Sequence, residues 1–155
     1  MAQMEDLPAA IVARITAAQQ PGGSLVNDAA ASVLQEDAHD LATEIGKALD
    51  QKTGMLILVG MPRWKNSAAM QNPNVQDVID IAVAIGENPV IWRKAGSNRD
   101  KCPTVANIVE RLLHNYKIPG FQFLRVTVVH FVPDRKRQLY EVSIETQLVS
   151  AVLAG

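Results

Sequence analysis

An α+β fold, one domain with a mainly antiparallel sheet of four to five strands and two to three helices on one face, is predicted by three observations. The first is a pair of adjacent strands, Phe123 to Val132 and Gln138 to Val149, joined by the charged turn Pro133-Asp134-Arg135-Lys136-Arg137. In the second strand Tyr140, Val142, Ile144 and Leu148 alternate with Glu141, Ser143, Glu145 and Gln147, the period of two expected of a half-buried strand. The second observation is the continuous apolar run Met55 to Val59, followed later by the alternating stretch Val75 to Ile85. The third is a set of helical stripes separated by glycine and proline stops.

Taken in order, Asp6 is placed to cap a first helix whose Leu7, Ile11, Val12 and Ile15 form an apolar stripe, ended by Gln20-Pro21-Gly22-Gly23. Ala30 to Gln35 reads as a short strand, with a continuous helix from Asp28 as the competing reading. Asp37 is a candidate N-cap for a second helix containing Leu41, Ile45, Ala48 and Leu49, with Gly54 as its stop. Met55 to Val59 is apolar on both faces and belongs inside the sheet. In Val75 to Ile85, Ile79, Ile81, Val83 and Ile85 share one face, and Gln76, Val78, Asp80, Ala82 and Ala84 the other.

Two connections are long for their setting. Pro62 to Asn74 contains Arg63, Trp64 and Lys65, and Trp92 to Pro103 contains Arg93, Lys94, Arg99 and Lys101. Thr104 is then expected to cap the clearest helix, in which Val105, Ile108, Val109, Leu112, Leu113 and Tyr116 make the apolar face and Pro119-Gly120 the stop. No internal repeat or interdomain linker interrupts residues 1–155, so a single domain is expected.

Composition narrows the functional classes. Lys plus Arg total 15 against 16 Asp plus Glu, a balance that argues against a broad basic surface for nucleic acid. Cys102 is the only cysteine, which excludes an intrachain disulfide and fits a reducing compartment. Met1 to Pro8 lacks the basic start and apolar run of a signal peptide, and no apolar run reaches the roughly 18 to 20 residues that span a bilayer. The expectation is a soluble, unsecreted chain with no membrane partner.

Catalytic signatures are missing. His39, His114 and His130 show no HxxxH, HExxH or CxxC spacing, so no metal site or cofactor is expected. There is no GxSxG elbow, phosphate-binding glycine loop or GxGxxG fingerprint. Position 130 falls on the strand face of Leu124, Val126, Val128 and Val132, where a hydrogen-bonded core or edge imidazole is the simplest reading. Glu141 and Glu145 project from one strand face and read as a solvated or interface face in preference to an acid–base pair. The basic runs, including Arg135, Lys136 and Arg137, read as solvated tips or as docking points for acidic partners.

The order of elements, with Asp6-Leu7-Pro8-Ala9-Ala10-Ile11-Val12-Ala13-Arg14, Val78-Ile79-Asp80-Ile81, Asn88-Pro89 and Val126 to Val142 with its Phe131-Val132-Pro133-Asp134 turn, resembles the tail-terminator, or tail-completion, proteins of tailed bacteriophages. The resemblance implies a non-enzymatic virion structural protein, assembled in the host cytoplasm. It would close into a ring, as a homo-oligomer of six, on the head-proximal end of the tail tube, stop tube polymerisation and offer the head-joining surface. Its partners would be tail-tube protein and a neck or head-completion protein, with DNA passing transiently and without specific binding. On that reading the two long loops and the Pro133 to Arg137 turn meet neighbours, and Glu141 and Glu145 help line a lumen, where carboxylates repel phosphate. The alternatives are another neck component, such as a head–tail connector or stopper, and a small ligand-binding domain or enzyme.

Overall fold

The computed structural model describes residues 3–19, 31–36, 40–50, 53–65, 78–92, 100–132 and 137–148, leaving the side chain of Lys65 undescribed. Among these residues the chain runs α1 (Asp6–Ala18), β1 (Ser32–Gln35), α2 (Leu41–Asp50), β2 (Met55–Val59), β3 (Arg63–Lys65), β4 (Val78–Glu87), α3 (Pro89–Trp92), α4 (Cys102–Leu113), β5 (Arg125–Val132) and β6 (Gln138–Thr146). The class is α+β, as the sequence predicts. The sheet has six strands in the order β1-β2-β4-β6-β5, with β3 also pairing to β4. All pairings are antiparallel except β1 with β2.

That one parallel pair explains where the helices go. Parallel neighbours need a crossover, and α2 is the crossover between β1 and β2. The first sheet face is already taken: Leu7, Ile11 and Ile15 of α1 and Val105, Val109 and Leu113 of α4 pack there with Met55, Ile57, Ile79, Ile81, Val142 and Ile144. The crossover helix therefore lies on the opposite face, where Ile45, Ala48 and Leu49 cover Leu34, Leu56 and Leu58. Alternate residues of β2 thus serve two cores, which is why its sequence is apolar without alternation. Helices on a single face, the sequence expectation, hold for α1 and α4 and not for α2.

Residues 32–35 form a strand, not part of a continuous helix, because their alternation pairs Val33 with the first core and Leu34 with the second. The N-cap of α1 lies one residue earlier than expected: Glu5 is the N-cap, and Asp6 is helical, its carboxylate accepting from the Gln3 N–H at 2.7 Å. Asp37 lies outside the described residues. Ahead of α2, Asp40 adopts φ 55° and its carboxylate accepts from the Thr43 hydroxyl at 3.0 Å. Gly54, with φ 81°, follows α2 and donates to the Ala48 carbonyl at 3.0 Å, the left-handed stop that glycine permits.

Helix α4 also departs from expectation at both ends. It starts at Cys102 with Lys101 as N-cap, not at Thr104. The cap is supplied from a distance: the Glu87 carboxylate, fully buried at the end of β4, accepts from the Cys102 N–H at 3.2 Å, placing negative charge at the helix N-terminus. The helix ends at Leu113, before Pro119-Gly120, because Asn115 turns the chain with φ 64°.

Strand β5 carries the largest surprise. Val126 pairs with Ile144 and Val128 with Ser143, so Thr127 is the extra residue of a β-bulge. The bulge resets the alternation. Val126 and Val129 both face the first core, while Val128 and His130 turn to the second face. The single face expected for Val126, Val128, His130 and Val132 is therefore corrected.

Candidate functional site

Beyond α2, the second sheet face is uncovered among the described residues across β4, β6 and β5. Register assembles a charged row over four strands: Arg63 opposite Asp80, Asp80 opposite Glu145, and Glu145 opposite Arg125. Arg63 and Asp80 approach to 3.5 Å. A second row sets Ala84 opposite Glu141 and Glu141 opposite His130, whose Nε2 lies 3.9 Å from the Glu141 carboxylate. Exposed cross-strand pairs of this kind are worth about 0–1 kcal/mol each, so their role is to set the potential of the face and not to hold the fold. Glu141 and Glu145 do share this face, as their spacing predicts. Glu145 faces the Arg125 guanidinium on β5, which lowers the negative potential it presents, whereas Glu141 faces the His130 imidazole.

Next to the first row, Gly60 brings its backbone against β4, donating to the Ala82 carbonyl at 2.8 Å. A β-carbon there would sit 2.9 Å from that oxygen and 3.2 Å from the Glu36 carboxylate, so the approach depends on glycine. The same Glu36 carboxylate accepts from the Met61 N–H at 2.8 Å. These residues, with Arg63, Ala82 and Glu141, line a depression of about 270 Å³. Among the described residues its lining offers carboxylates, a guanidinium and a thioether, but no hydroxyl, thiol or imidazole. Among the described residues, no group of three or more His, Cys, Asp or Glu side chains is placed to hold a metal ion.

The sheet edges carry exposed apolar groups. Trp64 on β3 is 47% exposed and stands opposite Ile79, on the first face but beyond the helices. Phe131 on β5 is 52% exposed, opposite Tyr140 on that same face, the rings meeting edge-on at 5.5 Å. Phe123, just before β5, and Val128 on the second face are exposed as well. None of these last three was singled out from sequence. Phe123 and Phe131 lie in a stretch that reads as an ordinary strand, and the outward turn of Val128 follows from a bulge at a threonine, a residue that gives no bulge signal.

The other residues singled out from sequence divide clearly. The Pro62 to Asn74 connection is not all loop: Arg63, Trp64 and Lys65 form β3, while residues 66–74 lie outside the described residues. Trp92 is corrected from an interface residue to a core residue: it is 1% exposed, and its indole N–H donates to the Asp100 carbonyl at 2.8 Å. Lys101 is exposed beside the start of α4. Arg93, Lys94, Arg99, Arg135 and Lys136 fall outside the described residues. Arg137 is half-buried and ion-paired to Asp50 on α2 at 2.8 Å, which ties the base of the β5–β6 hairpin to the second-face helix.

No protein-family model matches this chain, and a search of curated proteins finds no relative. No helix among the described residues is long and apolar enough to cross a membrane.

Proposed function

We propose that this chain is a virion structural protein of the tail-terminator kind, which closes into a ring on the head-proximal end of a phage tail tube. In that role it ends tube polymerisation and presents the surface to which the head joins. The observation that supports this reading most is the placement of Trp64 and Phe131. They stand on one face at opposite edges of the sheet, about 14 Å apart across the strands and about 20 Å along them. Two different apolar patches on opposite sides of a subunit suit a head-to-tail contact, the kind that closes into a ring when repeated about an axis.

The second face, uncovered beyond α2 among the described residues, fits the same role as a polar wall with Glu141 and Glu145 at its centre. A surface with little net charge and few large apolar groups lets a polyanion slide past without adhering. Tail-tube and neck proteins are the proposed partners, and the virion is the proposed location.

The deciding experiment is electron microscopy and native mass spectrometry of the purified chain mixed with the tail-tube protein of the same phage. Capped tubes of limited length, carrying a ring of this chain at one end, are expected. Tubes that grow without limit and carry no bound chain would overturn the proposal.

A further inference from the structure

The link between α4 and β5 runs along the outer edge of β5 as a short ladder. The Leu124 N–H donates to the Tyr116 carbonyl at 2.9 Å, and the Asn115 N–H donates to the Leu124 carbonyl at 2.7 Å. The next donor on that edge is the N–H of Val126, two residues on. A backbone acceptor from position 114 would continue the ladder, but the chain there still belongs to the end of α4, with the His114 N–H bonded to the Glu110 carbonyl at 2.8 Å. The imidazole takes over: the Val126 N–H donates to His114 Nδ1 at 3.1 Å. Among the described strands β5 is the last in the sheet, so this side chain closes one rung of its outer edge.

We infer that His114 is a proton-operated latch on the outer edge of β5. The bond requires an unprotonated Nδ1, hence the neutral imidazole with its proton on Nε2. Proton uptake at Nδ1 replaces the acceptor by a donor, so the Val126 N–H and the imidazolium face each other as two donors and the bond breaks. The charged groups on the surrounding elements are Arg14 on α1, Glu110 and Arg111 on α4, Lys117 in the link and Arg125 on β5. The start of β5, immediately before the Thr127 bulge, then presents an unpaired N–H to any strand that reaches it. The latch rests on this local geometry alone and stands whether or not the chain forms a ring.

Amide hydrogen exchange followed by NMR tests this, with rates divided by the intrinsic rate at each pH. In the wild type, the protection of the Val126 amide is expected to fall at least ~10-fold between about pH 7.5 and about pH 5, the range over which histidine takes up a proton, while that of Leu124 stays constant. His114→Ala should show low Val126 protection at both pH values. His130→Asn should keep the wild-type pH response, which separates the latch from the His130–Glu141 pair. Equal Val126 protection at the two pH values in the wild type, or full protection in a folded His114→Ala, overturns the inference. Should His114→Ala not fold, the wild-type pH series with Leu124 as internal reference decides alone.

Discussion

Gly54 lies against the backbone of Trp92: a β-carbon at position 54 would stand 2.8 Å from the Trp92 nitrogen and 3.0 Å from the Ile91 β-carbon. Gly54 also has φ 81°, so two independent penalties act on any side chain there. Gly54→Ala is expected to lose about 2–4 kcal/mol, from left-handed strain and the clash together. Urea unfolding checks this, and a loss below about 0.5 kcal/mol would show that α3 moves aside freely.

Trp92 is expected to behave as a core residue. Trp92→Ala should lose about 3–5 kcal/mol through the cavity it leaves. Trp92→Phe keeps most of the volume and forfeits the bond to the Asp100 carbonyl, with a smaller loss. Acrylamide quenching gives a second readout: a Trp64→Phe variant, whose emission comes from Trp92 alone, should be quenched far less than Trp92→Phe.

Position 127 should be dispensable in a way a residue of a regular strand is not. Deleting Thr127 leaves Val126 and Val128 on consecutive rungs opposite Ile144 and Ser143, a regular strand with every side chain on its present face. The loss is expected to be about 1 kcal/mol, including the Thr127 hydroxyl bond to the Ser143 carbonyl. Deleting Ile81 instead, in the regular β4 ladder, removes a core contact and reverses the faces of the residues on one side of it, and should cost several times more. Equal melting curves for the two deletions would show that the bulge does not set the register.

Trp64→Ala and Phe131→Ser remove half-exposed groups and should each change stability by no more than about 1 kcal/mol. Each is nevertheless expected to abolish capping of tail tubes, the result that separates an assembly surface from ordinary surface aromatics. Capping at wild-type level in both variants would remove the principal support for the ring.

Periodicity made the framework legible. Ile79, Ile81, Val83 and Ile85 announced the first face of β4, and Val105, Val109 and Leu113 the buried side of α4, because these elements bury one face each and the residue spacing records it. What escaped was decided by partners distant in sequence. The three residues of β3 are too few to show a period, and they become a strand only because Val78 to Asp80 offer an edge beside them. The cap of α4 comes from Glu87, whose role depends on where β4 ends. Trp92 looked like a loop tryptophan because the single turn Pro89–Trp92 is too short to register as a helix. Phe131 carries no pattern that marks it as exposed, since exposure there follows from strand order; Trp64 is singled out by sequence, but as a loop residue and not as part of an edge strand.

The lone parallel pair in this sheet also bears on how the chain reaches its fold. Strand β1, α2 and β2 are consecutive, so their closure involves only residues 32–59 and can proceed early, even during synthesis. The central seam is different: Ile79 meets Thr146, so β4 waits for the last of the described strands before its second edge is filled. Until then its row of isoleucines has no partner on that side, and the interval before β6 emerges is when a nascent chain most needs shielding from its neighbours.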